Sequence, residues 1–242
     1  MLKTGERLDD LQINGLKIIQ NSNLYCFTSD AVLLANTVNA SANDRVCDLC
    51  SGSGIIAMLI ASKRNAREVV GVELQAEMAD MAQRSVDLNN LGDKVKILQL
   101  SAQDAPSKLG YGSFDIVVAN PPYGTVGTGR ICEDERIAIC KNEIKLTLNE
   151  LVLSASKLTK FGGKFYMIHR ADRLAEIIFA LKMVSLEPKA ITIIYPKADK
   201  APDTFIVECI NGGKPGLILK SLTVYEHNNT YTAEAKKLYS IS

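Results

Sequence analysis

Arg45-Val46-Cys47-Asp48-Leu49-Cys50-Ser51-Gly52-Ser53-Gly54 is a short apolar strand that runs into a glycine turn, and residues 55–64 behind it have the make-up of a buried helix. Residues 68–73 repeat the strand and residues 76–91 the helix, and residues 95–100 and 114–119 read as two further strands. Between those two lies a polar stretch, residues 101–113, marked by Gly and Pro. Strand and helix alternating in this way predict an α/β fold, a mostly parallel sheet with helices on both faces. Downstream of a glycine-rich loop the pattern predicts a helix near 146–160, a strand over 163–169 and a helix over 172–184. The last part reads as β, over 190–195, 204–210 and 217–224, and adds antiparallel strands at one edge.

The first forty residues differ. Leu11-Gln12-Ile13 and Leu16-Lys17-Ile18 flank Asn14-Gly15, a two-residue hairpin signal, and Thr28-Ser29-Asp30 offers N-caps to a short helix over 31–38. The expected organisation is a hairpin and cap segment, 1–40, on one domain, 41–242. Of the 242 residues 47% are hydrophobic and 23% charged, an ordinary globular composition that excludes disordered, collagen-like and small disulfide-built proteins. The 28 Lys and Arg nearly balance 27 Asp and Glu, which argues against a histone-like coat for polyanions. Residues 151–242 carry 13 basic and 8 acidic side chains, leaving 15 and 19 for residues 1–150, an asymmetry that can mark a surface facing a polyanion. Six cysteines without a leader read as reduced thiols, and the longest apolar run, 55–61, is too short to span a bilayer. A soluble cytoplasmic protein with no membrane partner is expected.

Glycines between a strand and a helix let a ligand approach the backbone, with helix N–H groups at hand. Glu73, 19 residues beyond Gly54, ends the next strand, where a carboxylate can accept both hydroxyls of a ribose. Together they indicate an adenosine-containing cofactor. Gly52-x-Gly54-x-x-Ala57 fits a dinucleotide fingerprint. With Asp48 ahead of it, the stretch also resembles the first motif of class I S-adenosyl-L-methionine (AdoMet) methyltransferases. In those enzymes the acid orders the amino-acid end of AdoMet and a glycine stands where this chain has Cys50.

Phe114-Asp115-Ile116-Val117-Val118-Ala119-Asn120-Pro121-Pro122-Tyr123 decides between the two cofactors. Consecutive prolines remove two N–H donors, so the chain must leave the sheet at Asn120. Asn120 then supplies an amide oxygen, Pro121 a stiffly held carbonyl and Tyr123 a flat ring, which suits a planar substrate bearing an NH2 group. Such an amine is a poor nucleophile because its lone pair is delocalised. Acceptors that hold its hydrogens out of the ring plane favour the developing sp3 nitrogen, so they act on the transition state. A methyl group held in line about 3–3.5 Å away needs neither metal nor covalent nucleophile. A nicotinamide enzyme has no need of this segment.

Asn-Pro-Pro-Tyr after the fourth strand resembles the motif of methyltransferases that act on adenine N6, cytosine N4 or glutamine amide nitrogen. Within that group the chain resembles, over nearly its whole length, the bacterial tRNA1(Val) adenine N6-methyltransferase family. The similar segments are 25–35, 143–148, 169–177 and the 213–217 turn. The resemblance implies a Rossmann-like class I fold with a seven-stranded sheet, AdoMet as cofactor and an RNA, first of all tRNA, as partner. It implies Asn120, Pro121, Pro122 and Tyr123 as catalytic residues. It implies cofactor contacts from Tyr25, Thr28, Asp48, Cys50, Gly52, Gly54, Glu73 and Leu74, from Ser101, Ala102 and Asp104, and from Asn120. Family members often have Asp where this chain has Ser101, with Asp104 as a candidate substitute. A protein glutamine amide methyltransferase is the alternative enzyme, though such enzymes carry a separate helical domain that forty residues cannot supply. A non-catalytic AdoMet- or RNA-binding module is the alternative outside enzymes.

Other chemistry-bearing residues read as structural. Cys47-x-x-Cys50 lacks the second half of a zinc pattern, so no metal is expected. His169 and His227 have no nucleophile at a recognisable spacing, and Met78 and Met81 lie at core spacing. The glycine-rich residues 124–130 read as a substrate-side loop, and Cys132 to Arg136 as a solvated face. Arg170 and Arg173, just after a strand, either meet RNA phosphates or pair with Asp172 and Glu176.

Overall fold

The computed structural model describes residues 2–123 and 146–239. Its hairpin joins β1 (Glu6–Asp10) to β2 (Lys17–Asn21), antiparallel with Asp10 opposite Lys17. Asn14 and Gly15 take positive φ, 51° and 69°, and the Leu16 N–H donates to the Ile13 carbonyl at 2.9 Å, so the tight turn falls where Asn-Gly predicts it. The first arm corrects the expectation. Gln12 is left-handed at φ 54°, which leaves residues 11–13 in the loop and places the strand upstream of them.

The chain continues through α1 (Ser29–Thr37), β3 (Arg45–Leu49), α2 (Ile55–Lys63), β4 (Glu68–Glu73), α3 (Ala76–Leu88) and β5 (Val95–Gln99). A short α4 (Ala105–Leu109) fills the polar stretch before β6 (Phe114–Ala119). After the undescribed residues come α5 (Leu148–Leu158), β7 (Thr159–Arg170), a 3-10 turn, α6 (Leu174–Met183), β8 (Leu186–Lys197), β9 (Thr204–Asn211), β10 (Ile218–Tyr225) and α7 (Ala233–Tyr239).

The main sheet has the order β10-β8-β9-β7-β6-β3-β4-β5. It has eight strands rather than seven, because residues 217–224 pair parallel with β8 from Ile218 opposite Ala190 to Tyr225 opposite Lys197. One strand is reversed. β9 pairs antiparallel with both β7 and β8 and so lies inside the sheet, with β10 beyond it, instead of at an antiparallel rim. The crossover through α6 leaves a one-strand gap between β7 and β8, and the β8–β9 hairpin fills it.

Period-2 alternation divides the core. Val46, Val69, Ile116 and Ile168 pack with α1, α2, α3 and α7, while Leu49, Val72, Val117 and Phe205 pack with α4, α5 and α6. α2 is apolar all round because the sheet lies on one side of it and α1 packs against another; residues 55–61 are all buried. Met78 and Met81 form a satellite cluster with Ile19 and Leu24 of the N-terminal segment. The hairpin is fastened to α3: the Ile19 N–H donates to Ser85 Oγ at 3.0 Å, the Lys17 N–H donates to Asn89 Oδ1 at 2.9 Å, and Arg84 pairs with Glu6.

From β3 the chain winds out to β4 and β5, then returns to β6 on the other side. That reversal opens a crevice beyond the carboxyl ends of β3 and β6. No helix among the described residues is long and apolar enough to cross a membrane.

Candidate active site

The crevice is a cleft of about 860 Å³ counted to its open mouth. The turn after β3 contributes residues 50–53, the end of β4 residues 72–75, and the segment after β5 Leu100, Ala102 and Gln103. Asn120 and Pro122 come from the β6 exit, Tyr25, Phe27 and Ala31 from the N-terminal segment, and Leu146 from the other side of the undescribed residues. Leu146 is aimed by the start of α5. There the Thr147 N–H donates to Glu150 at 2.8 Å and Thr147 Oγ1 accepts the Glu150 N–H at 3.3 Å, a reciprocal cap.

Alternate residues of the turn are left-handed, Cys50 at φ 61°, Gly52 at 55° and Gly54 at 80°. That backbone suits glycine, the residue expected at the position of Cys50 from the first-motif resemblance. The two glycines have different duties. Gly52 lines the cleft, whereas Gly54 lies outside its lining and caps α2, where a Cβ would stand 3.1 Å from the Ala82 Cβ of α3. Gly54 therefore allows two helices to pack closely.

Glu73 is nearly buried. Its Oε2 accepts the Gly52 N–H and its Oε1 the Gln75 N–H, both at 2.9 Å, which joins the glycine turn to the β4 end. Burial raises its carboxyl above the ordinary range against these bonds. Asp48 is fully buried behind the cleft lining. Its Oδ2 accepts Ser51 Oγ at 2.8 Å, while its Oδ1 and the Ser53 hydroxyl have no hydrogen-bond partner. Burial, with the Glu73 charge adding to it, raises the Asp48 carboxyl to about 7.

Room for the Ser51–Asp48 contact comes from Gly71, directly opposite Asp48 in the sheet. A Cβ at Gly71 would fall 2.7 Å from Ser51 Oγ and 2.6 Å from Ile97 Cδ1. Sequence reasoning passed over Gly71; a glycine inside an apolar strand was its signal.

After β5 the placement differs from the expected contacts. Ser101 Oγ donates to Asp104 Oδ2 at 2.7 Å and accepts the Asp104 N–H at 3.1 Å. The pair braces its turn and leaves Ala102 and Gln103 on the cleft wall. Thr28, also expected at the cofactor, is exposed at the start of α1. Tyr25 and Leu74 do line the cleft, joined by Phe27, Ser51, Ser53, Gln75 and Gln103, which were not foreseen.

At the β6 exit, Asn120 faces the cleft and Pro121 packs behind it near His169. Tyr123 is not a bare platform. Its ring lies 5.0 Å from the His169 ring, tilted by 47°, and its hydroxyl donates to Asn120 Oδ1 at 2.7 Å. The amide oxygen expected to await a substrate thus already carries one hydrogen bond. Burial holds the Tyr123 hydroxyl well above its usual value, so it stays protonated. His169 is buried, with Nδ1 accepting the Arg170 N–H at 2.8 Å and Nε2 without a partner. Burial, then the Arg173 charge, lowers it to about 4, so it is neutral near pH 7.

Beside Tyr123 a second open cavity, about 560 Å³ counted to its mouth, is lined by Arg170, Asp172, Pro202, Asp203 and Thr204. Arg170 pairs with Asp172 at 2.8 Å and Arg173 with Glu176 at 2.6 Å, as the structural alternative required. Cys47 is buried in β3, where burial raises its thiol well above the usual value. Among the described residues no group of three or more His, Cys, Asp or Glu is arranged to hold a metal ion. The expectations for 124–130, for Cys132 to Arg136 and for 143–145 lie outside the described residues.

A mostly parallel sheet with a glycine turn after β3, an acid closing β4 and a proline-bent exit from β6 onto the same cleft has the layout of the Rossmann-like methyltransferase class. The chain belongs to the methyltransferase small domain family, which matches residues 17–178. S-adenosyl-L-methionine is the methyl donor of that family and of this enzyme. The chain is 23% identical, over 89% of its length and 90% of the relative's, to a tRNA1(Val) (adenine(37)-N6)-methyltransferase of Haemophilus influenzae (strain PittEE). A relative of the same name from Phocaeicola vulgatus is 24% identical over 85% of each chain. Among solved structures, a predicted O-methyltransferase from Agrobacterium tumefaciens superposes with a TM-score of 0.70 at 26% identity, covering 87% of this chain and 95% of that one. A geranyl diphosphate C-methyltransferase from Streptomyces coelicolor A3(2) superposes at 0.57 with 15% identity, covering 76% of each chain. Those names include both oxygen and carbon acceptors, so the acceptor atom does not follow from the fold.

The residues present suit AdoMet. Two buried oxygens without partners, Asp48 Oδ1 and Ser53 Oγ, offer acceptors for an ammonium group, and Glu73 keeps lone pairs for a ribose.

Proposed function

We propose that this enzyme methylates the exocyclic N6 amine of an adenine in tRNA. The observation that carries the proposal is that Asn120 lines the same cleft as Gly52 and Glu73. An amide oxygen is thereby set beside the cofactor site at a proline-bent strand exit. In this scheme Glu73 accepts the ribose hydroxyls, Ser53 and Asp48 receive the amino-acid end, and Ala102 and Gln103 face the adenine of the cofactor. Bound AdoMet supplies an electrophilic methyl group.

Asn120 Oδ1 and the Pro121 carbonyl accept the hydrogens of the substrate amine, so its lone pair turns toward the methyl as the nitrogen becomes tetrahedral. Tyr123, steadied by His169, flanks the target base. Residues 1–40 act as a cap that brings Tyr25 and Phe27 to the cofactor. The names of the relatives support tRNA as the acceptor, and a tRNA acceptor places the reaction in the cytoplasm.

Mass spectrometry of tRNA nucleosides from cells with and without the gene tests the proposal. N6-methyladenosine should disappear with the gene and return with the wild-type copy. It should not return at wild-type rate with Asn120→Ala, which is expected to bind AdoMet nearly as well as wild type and to transfer methyl at least about a hundredfold more slowly. An unchanged nucleoside profile would refute the tRNA assignment, and wild-type turnover in Asn120→Ala would refute the acceptor mechanism.

A further inference from the structure

The Tyr123 hydroxyl stands between two acceptors, Asn120 Oδ1 at 2.7 Å and Asp30 Oδ2 at 3.1 Å. It has one proton for both. Asp30 lies in the first turn of α1, 93 residues from Tyr123, and the fold alone brings the carboxylate to the β6 exit. We propose that Asp30 is a positioning residue, which takes over the Tyr123 hydrogen bond when a substrate amine claims the Asn120 oxygen.

The inference rests on the Asn120 mechanism above and extends it to a residue outside the cleft lining. While the hydroxyl donates to Asn120, the lone pairs of the Tyr123 oxygen face Asp30 Oδ2. The carboxylate there is a second acceptor, within reach of the same proton once the hydroxyl turns. Burial raises the Asp30 carboxyl above its ordinary value, and the hydrogen bond from Tyr123 works against that shift by favouring the carboxylate. When the Asn120 oxygen turns to the substrate, the hydroxyl rotates to the carboxylate, which is the stronger acceptor. The Tyr123 ring stays on His169 throughout, so the acceptor is released without disturbing the side chain that flanks the base.

Asp30 has a simpler role open to it. A carboxylate in the first turn of α1 complements the helix N-terminus, but that effect is independent of Tyr123. A double-mutant cycle separates the two. The intact enzyme and the variants Asp30→Ala, Tyr123→Phe and the pair are assayed with AdoMet and bulk tRNA from cells lacking the gene. Asp30→Ala should lower kcat about tenfold to a hundredfold, the range for a hydrogen bond to a charged group, and leave AdoMet affinity unchanged. In the Tyr123→Phe background the same substitution should cost less than about twofold. An equal loss in both backgrounds overturns the proposal.

A second readout needs no substrate. With tyrosine labelled with carbon-13 at Cζ, the Tyr123 resonance, assigned by its loss in Tyr123→Phe, should shift in Asp30→Ala. An unmoved resonance refutes the pairing whatever the activity. A shifted resonance in an enzyme inactive on every tRNA supports the pairing and refutes the tRNA assignment instead.

Discussion

Asp48→Asn should change how the stability of the cofactor-free enzyme depends on pH. The buried Asp48 carboxyl titrates near 7 against 3.8 ordinarily, so the folded state holds a proton that the unfolded state has released. Stability from this group is fully present below pH 4 and is lost as pH rises through 7. The displacement spans about three pH units, and at about 1.36 kcal/mol for each it comes to roughly 4 kcal/mol. His169 works in the opposite sense. Its value falls from 6.5 to about 4, so its contribution is present above pH 6.5 and lost as pH falls through 4, a change of roughly 3 kcal/mol. The two windows overlap, so these two contributions largely cancel between pH 4 and 6.5. Glu73, raised by the same burial, contributes in the sense of Asp48 to wild type and variant alike. Removing the Asp48 charge exposes the His169 part, so the variant should gain on wild type by about 4 kcal/mol between pH 4 and pH 7.5. Urea denaturation at several pH values in that range, each fitted with a common m-value, measures the difference. Parallel profiles for the two proteins would refute a raised Asp48 carboxyl in the free enzyme. The same substitution should weaken AdoMet binding, a loss of function alongside the gain in stability.

Glu73→Ala removes the acceptor of two backbone N–H groups and of the ribose, and should weaken AdoMet binding by about 1.5–3 kcal/mol; calorimetry showing unchanged affinity would move the ribose elsewhere. Gly71→Ala puts a methyl group within 2.7 Å of Ser51 Oγ and should cost about 1–3 kcal/mol of stability in thermal melts. An unaltered melt would mean that Ile97 and Ser51 give way freely. Cys50→Gly relieves a left-handed non-glycine residue at φ 61° and should stabilise the fold by roughly 1 kcal/mol, and a lower Tm would show that packing of the thiol outweighs the backbone strain.

Local chemistry in the sequence was enough to place every strand of the main sheet. Each of the eight apolar segments became a strand, because alternation and flanking Gly and Pro act over a few residues. The count of seven came with the family resemblance and missed the pairing of β10 with β8. The sites of Gly52, Glu73 and Asn120 in one cleft were also legible, since strands of a parallel sheet all deliver their following turns to the same end. Partners distant along the chain were decided by tertiary structure. β9 runs against its neighbours because a hairpin fills the gap left by the α6 crossover, a fact of strand order that local patterning does not encode. Likewise Gly71 opposite Asp48, the lone buried oxygens and the hydroxyl of Tyr123 held between Asn120 and Asp30 exist only once the elements have packed. Hydrogen bonding and burial depend on which side chains meet in space, and residues 30 and 123 meet only through the fold.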